Sequence, residues 1–229
     1  MATVFQRGIP LNPFEFIRVE QHDPLLNDVL ALRYKVYCEE RRFENPRDHR
    51  DGLEHDEYDK NAVHFAAVLP PGDYGKGWQK QKVVGTVRLI LGSENTLPIE
   101  RTFEFTKNFS HLRRNQIGEI SRLALSKHYC FEFKRRLPWQ SEAGCLVDGL
   151  LRRLAHEVVT KDITHLYAVM ARGLPILLAR KKIFFSQIGP EREYHGFRAP
   201  YIGAVGDILS KNSELFLDVQ DSERICEVA

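Results

Sequence analysis

The chain has 229 residues, 43% of them hydrophobic and 28% charged, the proportions of a soluble globular protein long enough to bury a substantial core. Its formal net charge of +2 is too near neutral for a general nucleic-acid binder. Cys38, Cys130, Cys145 and Cys226 are scattered without a C-x-x-C pair, which argues against a disulfide framework and against a zinc site. No basic segment followed by an apolar run opens the sequence, and no stretch reaches the roughly 20 apolar residues that span a bilayer. A cytoplasmic protein is expected.

Residues 14–19 alternate as a first strand. Asp23 and Pro24 then supply a cap and a first helical turn. Leu25, Leu26, Val29, Leu32, Val36 and Tyr37 recur at helical spacing to about Glu40. Arg33, four residues after Val29, borders the buried face, and read alone it snorkels its head to water. Residues 41–62 form a charged, irregular loop, and loops of this length in compact domains are often functional. Asp56 and Asp59 stand out in it, although a generic acidic cluster is a solvated one. His49, His55 and Asp56 match no ligand spacing, so no metal is expected.

Two strands follow, Ala62 to Leu69 and Val83 to Leu91. The connection between them carries Gly72, Gly75 and Gly77 but lacks the G-x-x-x-x-G-K-[ST] arrangement of a phosphate loop. Arg88 is the only charge in the second strand, which calls for a core carboxylate or a ligand beside it. A polar excursion over 92–117 leads into Gly118-Glu119-Ile120-Ser121-Arg122-Leu123-Ala124-Leu125. There a carboxylate and a guanidinium sit three apart in a strand pattern. A structural ion pair at a strand end is one reading of this E-x-x-R, and a reactive site is the other.

An aromatic and basic connection with Lys134, Arg135 and Arg136 comes next. A helix then starts at Ser141-Glu142, with Leu146, Val147, Leu150, Leu151, Leu154, Val158 and Val159 at helical spacing. A strand over 163–170, a helix over 173–182 and strands over 183–188 and 200–205 close the fold. Cys145 lies near a helix start, where a thiolate is favoured. The nearest histidine in that helix, His156, is about 16 Å further along the axis, so no dyad forms and Cys145 is expected to be a small buried residue. With no repeat or linker, the order predicts one mixed α/β (α+β) domain around a central sheet, its core over 14–205 and a polar tail over 206–229.

Arg33-Tyr34-x-Val36-Tyr37, D-E-Y-D-K with Asp56 and Asp59, G-T-V-R-L from Gly85 to Leu89, and E-I-S-R-L-A occur here in the order seen in acyl-homoserine-lactone (autoinducer) synthases. The chain also resembles their relatives, the long-chain N-acyl amino acid synthases and, most of all, the acyltransferases associated with PEP-CTERM/exosortase systems. The resemblance spans roughly residues 14–205. It implies the GNAT-like N-acyltransferase fold, a central mixed, mostly antiparallel sheet flanked by helices. It further implies that Glu119 accepts the proton of an attacking amine, directly or through water, with Ser121 and Arg122 in the same motif. Arg33, Tyr37, Asp56, Asp59 and Arg88 would shape the acceptor pocket. Tyr37 stands where autoinducer synthases tend to have Phe, and Phe43 near where they carry Trp, a departure that points away from a homoserine-lactone product.

The chemistry agrees with that assignment. Acyl transfer from a thioester to an amine needs a base for the amine proton and donors for the tetrahedral oxyanion. A glutamate in the middle of a sheet serves as base if burial raises its pKa. A bulge in its strand would turn a backbone N–H to the thioester and bring Glu119 and Arg122 to one cavity. Coenzyme A enzymes of this fold usually carry a Gly-rich turn after this strand, whereas 126–140 has no glycine. That fits acyl carrier protein as co-substrate, with no bound cofactor. Lys134, Arg135, Arg136, Arg152 and Arg153, with Arg180 to Lys182, would dock this acidic partner, or else form a solvated basic face. The expected function is transfer of a fatty acyl group from acyl carrier protein to a small amine, an amino acid foremost, with membrane contact only through the product. The alternatives are an acyl-homoserine-lactone synthase using S-adenosylmethionine and a non-catalytic module that binds acyl chains or carrier protein.

Overall fold

The computed structural model describes residues 14–71, 80–93, 96–128 and 142–212, with side chains from Cys145 onward in the last segment. Strand β1 (Glu15–Val19) leads to helix α1 (Leu25–Tyr34), whose first turn is capped by the Asp23 carboxylate accepting from Leu25 N–H at 2.8 Å. The helix expected to run evenly to Glu40 changes at Lys35 to π-helical winding over Lys35–Glu40. Such an insertion rotates the following side chains and recurs at functional sites. Here it belongs to the stretch that presents Tyr37 and Glu40 to the main cavity.

Strands β2 (Ala62–Leu69) and β3 (Lys82–Leu91) form the centre. Every residue of β2 is buried, because both of its faces are covered. Phe65, Ala67 and Leu69 face Leu146, Leu150, Leu154 and Val158 of α3 (Glu142–Thr160), while Ala66 and Val68 face Val29, Leu32 and Val36 of the N-terminal helix. The short helix α2 (Pro98–Thr102) precedes β4 (Ile117–Leu125). After α3 come β5 (His165–Met170), α4 (Gly173–Arg180), the two-residue strands β6 (Ser186–Gln187) and β7 (Arg192–Glu193), β8 (Phe197–Ala204) and α5 (Val205–Lys211). Among the described residues the sheet runs β1-β2-β3-β4-β5-β8-β6, with β7 also on β8. All pairings are antiparallel except β4–β5.

Several expectations need correction. The strand predicted over 183–188 shrinks to Ser186–Gln187, and the start of the expected tail is α5, which packs Val205 and Leu209 on the core. Cys145 is exposed, because the inward turn of α3 begins one residue later at Leu146, which is 1% exposed.

Two irregularities position the site. The parallel ladder between β4 and β5 covers only Ile117–Ile120 against His165–Ala168, so the strands part beyond Ile120. The β3–β4 register also shifts between Thr86 and Arg88, leaving Arg122 and Leu123 together opposite Val87. This is the bulge the chemistry called for. Arg122 takes φ +52° within it, a left-handed conformation that is uncommon for a residue with a side chain. The turn sends its guanidinium toward the same side as Glu119 and Ser121, where strict alternation would have sent it away.

Candidate acyl-transfer site

Glu119 is 3% exposed and lines a cavity of about 1050 Å³ that opens where β4 and β5 part. One carboxylate oxygen accepts from Ile99 N–H at 2.9 Å. That amide belongs to the first turn of α2, where backbone donors have no partner within the helix. Burial pushes the Glu119 pKa up to about 7, while the Ile99 amide and the Arg88 charge pull the other way. At neutral pH its two protonation states are close in free energy, as suits a group that takes up a proton and gives it back.

The cavity has two characters. Its wall near Glu119 carries Asp56, Tyr58, Arg88, Ser121, Arg122, Tyr194 and Arg198. Away from it the wall turns apolar, with Leu125, Leu154, Met170, Leu178, Ile183, Phe185 and Leu209 drawn from the sheet and the helices that cover it. A polar mouth leading to a long apolar interior accepts a chain molecule with one polar end.

Behind the polar wall lies a network of buried ions. Arg33, fully buried, donates to Asp59 through both terminal nitrogens (2.7 and 3.1 Å) and to Glu54 through Nε (2.6 Å). Arg88 grips both oxygens of Asp56 (2.6 and 2.9 Å), reaches Asp59 (2.7 Å) and donates from Nε to the Ser121 hydroxyl (3.0 Å). Arg122 donates to Glu54 (3.0 Å), Glu44 (3.1 Å) and Asp56 (3.3 Å). Burial alone would raise the carboxyls of Asp59 and Glu54. Arg33 and Arg88 overcome it at Asp59, and Arg33 and Arg122 at Glu54, so both are held below the usual carboxylate range. Burial would likewise lower the Arg122 pKa, but Glu54 and Asp56 raise it. Arg33 therefore does not snorkel, Asp59 is buried, and Asp56, though partly exposed, is gripped by Arg88 rather than left to solvent.

Glu119, Ser121, Arg122, Arg33, Tyr37, Asp56, Asp59 and Arg88 thus meet at one place, some on the cavity and some behind it. Tyr37 donates its hydroxyl to the Leu123 carbonyl at 3.1 Å and lies under the Arg122 guanidinium. The hydroxyl that separates Tyr from Phe holds the bulge. The sequence reading missed Glu54, which bridges Arg33 and Arg122 from an irregular loop; its only signal was an acid among many charges. It also passed over Arg198, whose guanidinium stacks on Phe43 at 4.6 Å, and His64. The His64 ring is fully buried 3.6 Å from Asp59, and burial lowers its pKa to about 4.

The candidate docking residues do not form one described surface. Lys134, Arg135 and Arg136 lie outside the described residues. Arg152 and Arg153 are half-buried on α3, Lys181 is paired with Asp148 at 2.7 Å, and Arg180 and Lys182 are exposed. No group of three or more His, Cys, Asp or Glu residues among the described residues is arranged to hold a metal ion. No described helix is long and apolar enough to cross a membrane.

A split parallel pair beside a bulged strand, with a buried carboxylate at the fork, defines an N-acyltransferase fold of the GNAT type. The acetyltransferase (GNAT) domain pattern matches residues 32–137. Among solved structures, TofI in a ternary complex with an inhibitor and MTA aligns with TM-score 0.62 at 14% identity, over 86% of this chain and 95% of its own. The acyl-homoserine-lactone synthase LasI aligns at 0.58 and 20% identity, over 84% and 89%. BjaI, a CoA-dependent acyl-homoserine-lactone synthase bound to SAM and isopentyl-CoA, aligns at 0.59 and 17%, over 85% and 83%. No curated protein matches the chain in sequence at a significant level. The chain thus has the GNAT acyltransferase fold and is similar in structure to these acyl-homoserine-lactone synthases over most of its length.

Proposed function

We propose that this protein transfers a fatty acyl group from the thioester of acyl carrier protein to the amine of a small acceptor, an amino acid foremost, with Glu119 as general base. The observation that carries the reading is the buried Glu119 carboxylate, its pKa near 7, at the head of an apolar cavity deep in the sheet. The acyl chain lies in the apolar part and its thioester carbonyl comes to the fork between β4 and β5. The neutral amine attacks that carbonyl carbon, a C–N bond forms, and Glu119 takes the amine proton directly or through water. The Arg122–Leu123 bulge frees backbone N–H groups from the ladder for the oxyanion. Collapse breaks the C–S bond, and the carboxylic acid returns its proton to the departing thiolate. Arg33, Arg88, Asp56 and Asp59 keep the loop and strands in register, while Ser121 and Tyr37 hold the polar wall. Holding the two reactants together supplies much of the remaining rate.

Purified protein is incubated with acyl carrier protein charged with short, medium and long chains, or with the matching coenzyme A thioesters, and the twenty amino acids. Products are read by mass spectrometry beside the Glu119→Gln variant. N-acyl amino acids from the carrier-protein thioester, lost in the variant, support the proposal. Acyl-homoserine lactones formed only with S-adenosylmethionine reassign the acceptor, and preference for coenzyme A reassigns the donor. Acyl binding without transfer to any amine leaves a binding module. Near wild-type rates in Glu119→Gln remove Glu119 as base.

A further inference from the structure

Three arginines are buried or half-buried in the cavity wall, and two are fully committed. Arg88 spends Nε and both terminal nitrogens on Ser121, Asp56 and Asp59, and Arg122 is shared among Glu54, Glu44 and Asp56. Arg198 differs. Its Nε donates to the His195 carbonyl at 3.2 Å and its plane stacks on Phe43 at 4.6 Å. Among the described residues it makes no ion pair, and its terminal nitrogens have no hydrogen-bond partner. A half-buried guanidinium whose fork has no protein partner is open to receive an anion.

We propose that Arg198 is a specificity residue that receives the carboxylate of the amine acceptor, so that the enzyme acylates α-amino acids in preference to amines without a carboxylate. The inference rests on the acyltransferase reading above and deepens it. Two parallel N–H groups match two carboxylate oxygens. The stacking on Phe43 and the Nε bond to His195 fix the plane of the fork before the ligand arrives, so little rotamer entropy is lost on binding. Burial and the nearby Arg122 charge both disfavour the cation when no anion is present, although Glu44, Tyr37 and Tyr194 offset part of this. Arg198 and Glu119 line the same cavity, and the proposal seats the acceptor between them, its amine toward the base and its carboxylate toward the fork. A phosphodiester on the carrier's arm is the competing anion, and kinetics separate the two.

The best amino-acid acceptor from the panel above is compared with its own carboxamide, at a fixed saturating acyl thioester, in the wild type, Arg198→Met and Arg198→Lys. Methionine keeps a stem over Phe43 without the charge. The expected result is a wild-type KM about 10- to 100-fold lower for the acid than for the amide, the range of a lost charge-assisted pair. Arg198→Met should erase that preference with kcat and the KM for the thioester little changed, and Arg198→Lys should restore part of it. Melting curves check that both variants are folded. Equal wild-type use of acid and amide overturns the proposal, as does a rise in thioester KM alone, or an equal loss on both acceptors in a folded Arg198→Met. If carboxylate-free amines are acylated and amino acids are not, the enzyme reading stands and this one falls. If no amine is acylated, both fall.

Discussion

Asp59→Asn is the sharpest probe of the buried ion network. Both carboxylate oxygens are in use: Oδ1 accepts from Arg33 and Arg88 (2.7 Å each), and Oδ2 accepts from Arg33 (3.1 Å) and from the Asp56 amide (2.7 Å). An asparagine of the same shape must place its NH2 against two of these donors in either orientation. Arg33, Arg88 and Arg122 face Glu44, Glu54, Asp56 and Asp59 in this network, so the change leaves fully buried Arg33 with Glu54 as its one anionic partner and Arg88 with Asp56 alone. Removing one partner from a buried pair costs about 3–5 kcal/mol. For a chain of this size that is a fall in Tm of about 6–20 °C. Differential scanning calorimetry at pH 7 measures it, with Glu57→Gln as the control. Glu57 pairs with Arg101 where both side chains are more than half exposed, at 2.9 Å, and should cost under about 1 kcal/mol. A loss no larger for Asp59→Asn than for Glu57→Gln would refute the claim that the network holds the loop to the sheet.

Three further outcomes are expected. On the proposed role of Glu119 as base, kcat/KM should rise with pH through about 7, and Glu119→Gln should remove that limb and lower turnover about 10²- to 10⁴-fold; a flat profile in the wild type would count against it as base. Because folding raises the Glu119 pKa from 4.5 to about 7, its share of stability is complete below about pH 4.5 and is lost as pH climbs to 7. Glu119→Gln should therefore be the more stable protein above pH 7, by about 1–3 kcal/mol, in urea titrations at pH 5 and 8, with the gain absent at the lower pH. Phe16 lies flat against α3 where Gly149 has no side chain, and a Cβ there would come within 2.1 Å of the ring. Gly149→Ala should cost about 1–3 kcal/mol of overpacking, and adding Phe16→Leu should recover most of it in thermal melts.

The sequence made the strands and long helices legible because each carries one dominant period and a clear break, as Ala62 to Leu69 does before Pro70-Pro71-Gly72. Arg88 and Glu119 could be read as site residues because charge inside an apolar strand demands a partner. What was hidden depends on contacts distant in the chain. Glu54 has no periodicity, and only Arg33 and Arg122 give it a place. Arg198 reads as an ordinary strand-end cation until Phe43 lies under it. The pattern over 183–188 marked a strand but not its length, which bonds to β8 limit to the two residues of β6, and the two-residue β7 is defined by its bonds to β8 alone.

The short parallel ladder has a consequence for the protein as a whole. Among the described residues, four pairs, Ile117–Ile120 with His165–Ala168, are all the strand pairing that ties the N-terminal leaf of the sheet to the C-terminal one. Below them the leaves face each other across the cavity, with apolar side chains from both exposed to the gap. On the proposed function, an acyl chain lying there would be substrate and internal packing at once, touching both leaves where backbone does not. Occupancy and cohesion would then be one equilibrium, and a ligand filling the gap would also join the two halves of the sheet.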